Sequence, residues 1–215
     1  MKKYPVRLLR LTFGLFLFAL GIVVTMRGNI GYAPWDVFHT GIAKTTGISI
    51  GTASIIVGIL IGIFTALMGE KIGLGTLGNM VLIGFFIDLL LNLNFIPLAA
   101  GFFYGILMMI VGMFIIALAT YFYIGSGFGA GPRDSLMVAL TRKTHLPVGL
   151  CRGSIELIVL AIGWKLGGMV GLGTVISALT TGFCVQITFH LLRFNVVAVQ
   201  HETLAQTYKA LFGGK

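Results

Sequence analysis

Shifting the sequence against itself by 98 residues aligns its two halves without a gap. Gly14, Phe16, Ala19 and Leu20 fall on Gly112, Phe114, Ala117 and Leu118. Gly31, Pro34 and Asp36 fall on Gly129, Pro132 and Asp134, and the run Gly73–Thr76 falls on an identical run at Gly171–Thr174. Apolar sequences match many Leu and Ile pairs by accident, but they do not align glycines, prolines and aspartates at one fixed offset. The chain is therefore an internal duplication, which restricts it to folds built from two copies of one unit.

The solvent of that unit follows from composition. Of 215 residues, 57% are hydrophobic and 10% charged, with a mean hydropathy of +1.02. Soluble domains carry about 25% charged residues, so the chain is a membrane protein. Its net charge of +9 lies between apolar stretches rather than on one face, which excludes a nucleic-acid surface. Cys151 and Cys184 lie in apolar stretches without metal spacing and read as packing residues.

Six apolar stretches are each long enough for a hydrocarbon core of about 30 Å. They run near Leu8–Met26, Ile50–Met68, Gly75–Leu93, Ala99–Tyr123, Gly149–Leu166 and Gly173–Leu192. The first follows Lys2, Lys3, Arg7 and Arg10, as a signal peptide would, but no small-residue cleavage site follows it and the repeat requires it as a helix. Three spans per half is an odd number, so the second half enters the membrane from the opposite side. With the N-terminus inside, twelve Lys/Arg are cytoplasmic and only Arg27, Lys44 and Lys165 lie outside. The expected fold is an all-α membrane protein of six transmembrane helices in a 3+3 inverted repeat. Residues 1–94 and 95–193 are the two repeats, residues 194–215 a cytoplasmic tail, and together they form one membrane domain in the bacterial cytoplasmic membrane.

Each half also contains a glycine-rich loop that runs into Pro and Asp. Proline at the first helical position is pre-organised for a helix start, and an aspartate two residues on complements the helix dipole. Pro34 and Pro132 thus each open a helix of about 12 residues, roughly 18 Å, which is too short to cross a bilayer. Gly31, Gly129 and Gly131 mark the break before each. Two placements are open: a re-entrant half-helix whose loop is buried in protein, or an amphipathic helix lying at the interface. The loop Arg27–Ala33 is long enough to return toward the midplane.

Other polar residues sit inside apolar stretches. Glu156 lies about 10 Å into the fifth span, one turn after Arg152, so the pair is either a local i,i+4 ion pair or part of a functional site. Asp88, in the third span, faces Arg27 or Lys165, or reaches the outer interface. Asn79, Asn92 and His190 read as packing or interhelical hydrogen bonds. Phe102, Phe103, Tyr104, Tyr121, Phe122 and Tyr123 read as interfacial belts.

The phrases GYAPWDVFHTGIAKTTGISIG, GLGT and GAGPRDSLMVALTRKTHLPVG, with RGSIEL behind the last, resemble the bacterial YczE/YitT-type integral membrane proteins. The likeness covers about residues 7–193, with one departure inside the repeat: Trp35 where the second copy has Arg133. It implies a multi-pass inner-membrane protein and no particular activity.

Three function classes follow. An inverted repeat with two broken helices favours a transporter for a small anionic or zwitterionic solute. A binding or regulatory membrane subunit that acts through a partner protein and transports nothing alone is the second class; the expected partners are the lipid bilayer, a small solute, and a second copy of the chain or a partner membrane protein, with no nucleic acid. An enzyme is disfavoured, since HExxH, GxSxG and acid-His pairings are absent from the sequence, and no cofactor is expected. The expected solute site is Arg133 and Asp134 at one half-helix start, Asp36, Trp35 and Tyr32 from the other half, and Glu156, Arg152 and Asp88 nearby.

Overall fold

The computed structural model describes residues 4–212; Lys2, Lys3 and Lys215, counted above on the cytoplasmic side, lie outside them. The described residues form nine α-helices and one short 3-10 turn, with no strand. The first four are α1 (Tyr4–Arg27), α2 (Pro34–Thr46), α3 (Ile50–Leu67) and α4 (Leu74–Leu93). Then come α5 (Phe102–Gly125), α6 (Pro132–Thr144), α7 (Val148–Lys165) and α8 (Leu172–Leu191), each starting and ending 98 residues after its counterpart. The tail folds as α9 (Leu204–Phe212).

Helices α1, α3, α4, α5 and α8 are long and apolar enough to cross a membrane. α7 equals α3 in length, but Arg152, Glu156 and Lys165 interrupt its apolar character. Five apolar spans and one charged helix thus stand where six apolar spans were expected.

Local chemistry fixes the helix starts. Pro34 and Pro132 occupy the first position of α2 and α6, where their missing N–H costs nothing. Ser49 caps α3 by accepting from Thr52 N. Gly73 and Gly171 precede α4 and α8, and their N–H groups donate to Thr76 and Thr174 three residues on.

The main seam joins α1 to α5. Gly14 lies against the Tyr123 backbone, Gly21 against Gly112 and Gly28 against Gly105, so the two helices run antiparallel. Seven-residue glycine spacing keeps one bare stripe facing the partner, and small residues let membrane helices approach closely. Leu11, Leu15, Ile22 and Val23 of α1 pack beside the stripe with Ile83, Ile87 and Leu90 of α4.

The loops then interlock the halves. Gly173 N donates to Ile30 O at 2.8 Å and Gly75 N to Phe128 O at 2.7 Å, the same bond 98 residues apart. Gly31, at φ +115°, lies against Gly171, and Gly129, at φ +109°, against Gly73. The left-handed backbone and the lack of room for a Cβ both require glycine here. These contacts account for the repeated GLGT run.

One packing relation is not repeated. α3 lies along α4, with Gly51 against Gly84 and the Met80 side chain in the space beside Gly62. α7 and α8 have no comparable contact, and a Cβ at Gly149, Gly153 or Gly182 would meet nothing within 4 Å. The tail is held more firmly than a loose segment. Glu202 accepts from Tyr4 Oη at 3.0 Å and pairs with Arg7 at 2.5 Å, while its N–H donates to Gly127 O. Leu204 N donates to Ile72 O at 3.0 Å.

Candidate functional site

A cavity of about 490 Å³ lies between the two halves. Pro34 and Pro132 both line it, so the two half-helix starts meet at one place. α2 reaches it packed on α3 and α7, with Gly41 against Gly163 and Gly163 against Phe38. α6 packs on the same two helices.

The charged lining is Asp36, Arg133, Asp134, Arg152 and Glu156. Asp36 and His39 are buried on one face of α2, with His39 Nδ1 3.9 Å from Asp36 Oδ1. Arg133 Nη2 lies 3.4 Å from His39 Nε2, across the boundary between the halves. A guanidinium only donates, so Nε2 accepts and a neutral His39 carries its proton on Nδ1, toward Asp36. The Arg133 guanidinium also sits over the Trp35 ring, 4.7 Å from its centre, a cation–π contact. Trp35 and Arg133 occupy equivalent positions of the duplicated phrases, differ in chemistry, and touch.

Arg152 and Glu156 pair at 2.9 Å along α7. No group of three or more metal-ligating side chains occurs among the described residues.

A sequence model of the DUF6198 family, described as a family of unknown function, matches residues 5–190. The chain belongs to this family. It is 40% identical over 186 residues to the uncharacterized membrane protein YczE of Bacillus subtilis, covering 84% of this chain and 85% of that one. An uncharacterized protein of Haemophilus influenzae is 32% identical over 186 residues, 84% of each chain. The uncharacterized protein YyaS of Bacillus subtilis is 23% identical over 180 residues, 81% of this chain and 88% of that one. No solved structure matches.

In this DUF6198 chain the cavity gathers Arg133, Asp134, Asp36, Trp35, Arg152 and Glu156 from the expected set. Two expected members lie elsewhere. Asp88 accepts from Ser49 Oγ at 2.5 Å and Gly51 N at 2.8 Å, tying the end of α4 to the start of α3. It pairs with neither basic candidate, since Arg27 donates to Asn94 at 2.6 Å and no contact joins it to Lys165. Tyr32 packs at the edge of the α1–α4 core, and its N–H donates to Met169 O. Tyr32 is not among the residues that line the cavity.

Three lining or supporting residues were not legible as such. His39 lies three residues after Asp36, one helical face on, a spacing that could have flagged it. Tyr123 is 2% exposed and lines the cavity, because Gly14 lets α1 cover its face of α5. That corrects its reading as an interfacial aromatic. Asn79 also lines the cavity rather than bridging two helices.

Proposed function

We propose that this protein moves a small anionic or zwitterionic solute across the bacterial cytoplasmic membrane, binding it between the two half-helix starts. The proposed topology has six crossings in a 3+3 inverted repeat, both termini in the cytoplasm, with α7 as the charged sixth span and α2 and α6 re-entrant. The antiparallel packing of α1 on α5, its counterpart, supports the inversion. Burial of Pro34, Asp36, Val37 and His39 within protein supports re-entrance, because irregular backbone is tolerated at depth only there.

One observation carries the transport reading. In a duplicated chain the α3–α4 pair is closed over its glycines while the equivalent α7–α8 pair stands apart. With the N-terminus inside, the closed pair meets at the outer ends of its helices and the open pair at the cytoplasmic ends. Exchanging the two arrangements would turn the cavity from one side to the other, and Gly149 and Gly182 repeat the glycine pair at which α3 meets α4. Gln186 stands 98 residues after Asp88 and supplies an acceptor for the start of α7 in the exchanged state.

The test is solute flux in proteoliposomes against mixed small carboxylates and amino acids, for the native chain and Gly149→Leu, at an open position of α7 outside the cavity lining. The leucine fits the open pair but blocks its closure. A closure cost of about 1–3 kcal/mol from overpacking lowers flux about fivefold to a hundredfold while binding persists. Native binding without any flux would replace this reading with a binding subunit. Labelling of Lys143→Cys only from outside would reject the topology.

A further inference from the structure

We infer that Tyr123, Asn79 and the start of α6 form a carboxylate subsite, and that the solute is a compact zwitterion whose cationic end faces Asp134 and Asp36. This rests on the reading of the cavity as a solute site.

No side chain caps α6, whose first residue is a proline preceded by Gly131. Its leading N–H groups and dipole therefore face the cavity unsatisfied. The Tyr123 hydroxyl, on a side chain 2% exposed, has no hydrogen-bond partner. A buried donor left unpaired is costly, and it is tolerated where a ligand supplies the acceptor. Its direction is defined: a Cβ at Gly131 would lie 3.2 Å from Tyr123 Oη and 3.3 Å from Asn79 Nδ2. Glycine keeps open the space that both donors and the helix start surround. The other half lacks this set. Ala33 replaces Gly131 there, while Thr25 and Ser177, the counterparts of Tyr123 and Asn79, donate to carbonyls of their own helices. The subsite therefore lies at one end of the cavity.

Charge selects the rest of the solute. Arg152 and Glu156 neutralise each other. Arg133 remains, with Asp36 and Asp134 within electrostatic reach and no ion pair within 4.0 Å. Over the whole lining, two cations, Arg133 and Arg152, thus serve three carboxylates, Asp36, Asp134 and Glu156, before any solute arrives. A plain anion adds a fourth negative charge to that excess, whereas a zwitterion brings its own counter-charge.

The test is equilibrium binding of the common L-α-amino acids to the purified full chain, followed by the desamino and descarboxy analogues of each binder. At least one amino acid binds, and both analogues bind about tenfold more weakly or worse, as loss of one charge-assisted hydrogen bond dictates. Tyr123→Phe keeps the native melting temperature, since it removes an unpartnered hydroxyl, yet lowers affinity by a similar factor. Asn79→Leu weakens binding in the same way. Native affinity in Tyr123→Phe, no amino acid bound, or equal binding of a desamino analogue each overturns the inference. The last result leaves transport of anions intact, whereas zwitterion binding without flux sinks transport and keeps the subsite.

Discussion

Gly51 of α3 and Gly84 of α4 touch backbone to backbone, and Asp88 locks the contact by accepting from Ser49 and from the Gly51 N–H. Their counterparts Gly149 and Gly182 face open space. The glycine pair at which α3 meets α4 thus occurs twice in one molecule, once packed and once apart. In the proposed transport cycle this open pair would close as the α3–α4 pair opens.

The first prediction reads that exchange directly. Spin labels at exposed Leu150 and Phe183 report α7–α8, and labels at Thr52 and Phe85 report α3–α4, in a Cys151→Ala/Cys184→Ala background. Pulsed dipolar spectroscopy is expected to show a second, shorter α7–α8 distance, and a longer α3–α4 distance that gains population with it. A single unchanging distance for both pairs rejects the gate.

Arg133 separates charge from geometry. Lysine keeps the cation but loses the planar fork and the fit over Trp35. Arg133→Lys is expected to fold to native yield and to weaken solute binding about tenfold, a loss of roughly 1.4 kcal/mol. Arg133→Gln leaves Asp36 without its cation and Asp134 with Arg152 alone, and is expected to lose binding altogether. Wild-type affinity in the glutamine variant rules the site out.

The α1–α5 seam is expected to tolerate no side chain. At Gly21 a Cβ would lie 2.6 Å from Ile116 Cγ1 and 2.8 Å from Gly112 O, so Gly21→Leu must force two backbones apart. Overpacking of this kind costs about 1–3 kcal/mol, visible as a lower melting temperature in detergent. Gly153→Ala, in open space on α7, is expected to be neutral or to stabilise by about 0.5–1 kcal/mol, the helical advantage of alanine.

Acid should release the tail. Burial pushes the Glu202 carboxyl upward, but hydrogen bonds from Arg7 and Tyr4 and the Arg7 charge outweigh it and hold the group below the usual glutamate range. A carboxyl lowered in the folded state adds stability at and above its ordinary range, and loses it as pH falls through the folded value. Protease cleavage of the segment before α9 is therefore expected to rise below about pH 4, the ordinary glutamate value being about 4.3. Glu202→Gln should show that cleavage at neutral pH, and unchanged resistance in this variant would show that the pair does not hold the tail.

The sequence by itself determined the solvent, the duplication and the ends of the helices. Those features are local: proline at a helix start, glycine at a left-handed turn and apolar length act within a few residues, and the fixed offset copied them into both halves. The short α2 and α6 were legible for the same reason. Tertiary structure alone decided which polar side chains meet. Asp88 and Asp134 are alike as residues in apolar surroundings, yet one caps a neighbouring helix and the other lines the cavity, because their helices present them to different partners. Tyr123 left the membrane interface for the cavity because a glycine on another helix, over a hundred residues earlier, let α1 close over it. Gly149 and Gly182, which match Gly51 and Gly84, gave no sign of the separation of α7 from α8, although Glu156 and Leu160 stand where α3 has Gly58 and Gly62. Identical glycines permit close approach in both halves, and only the arrangement of the whole bundle selects which pair makes it.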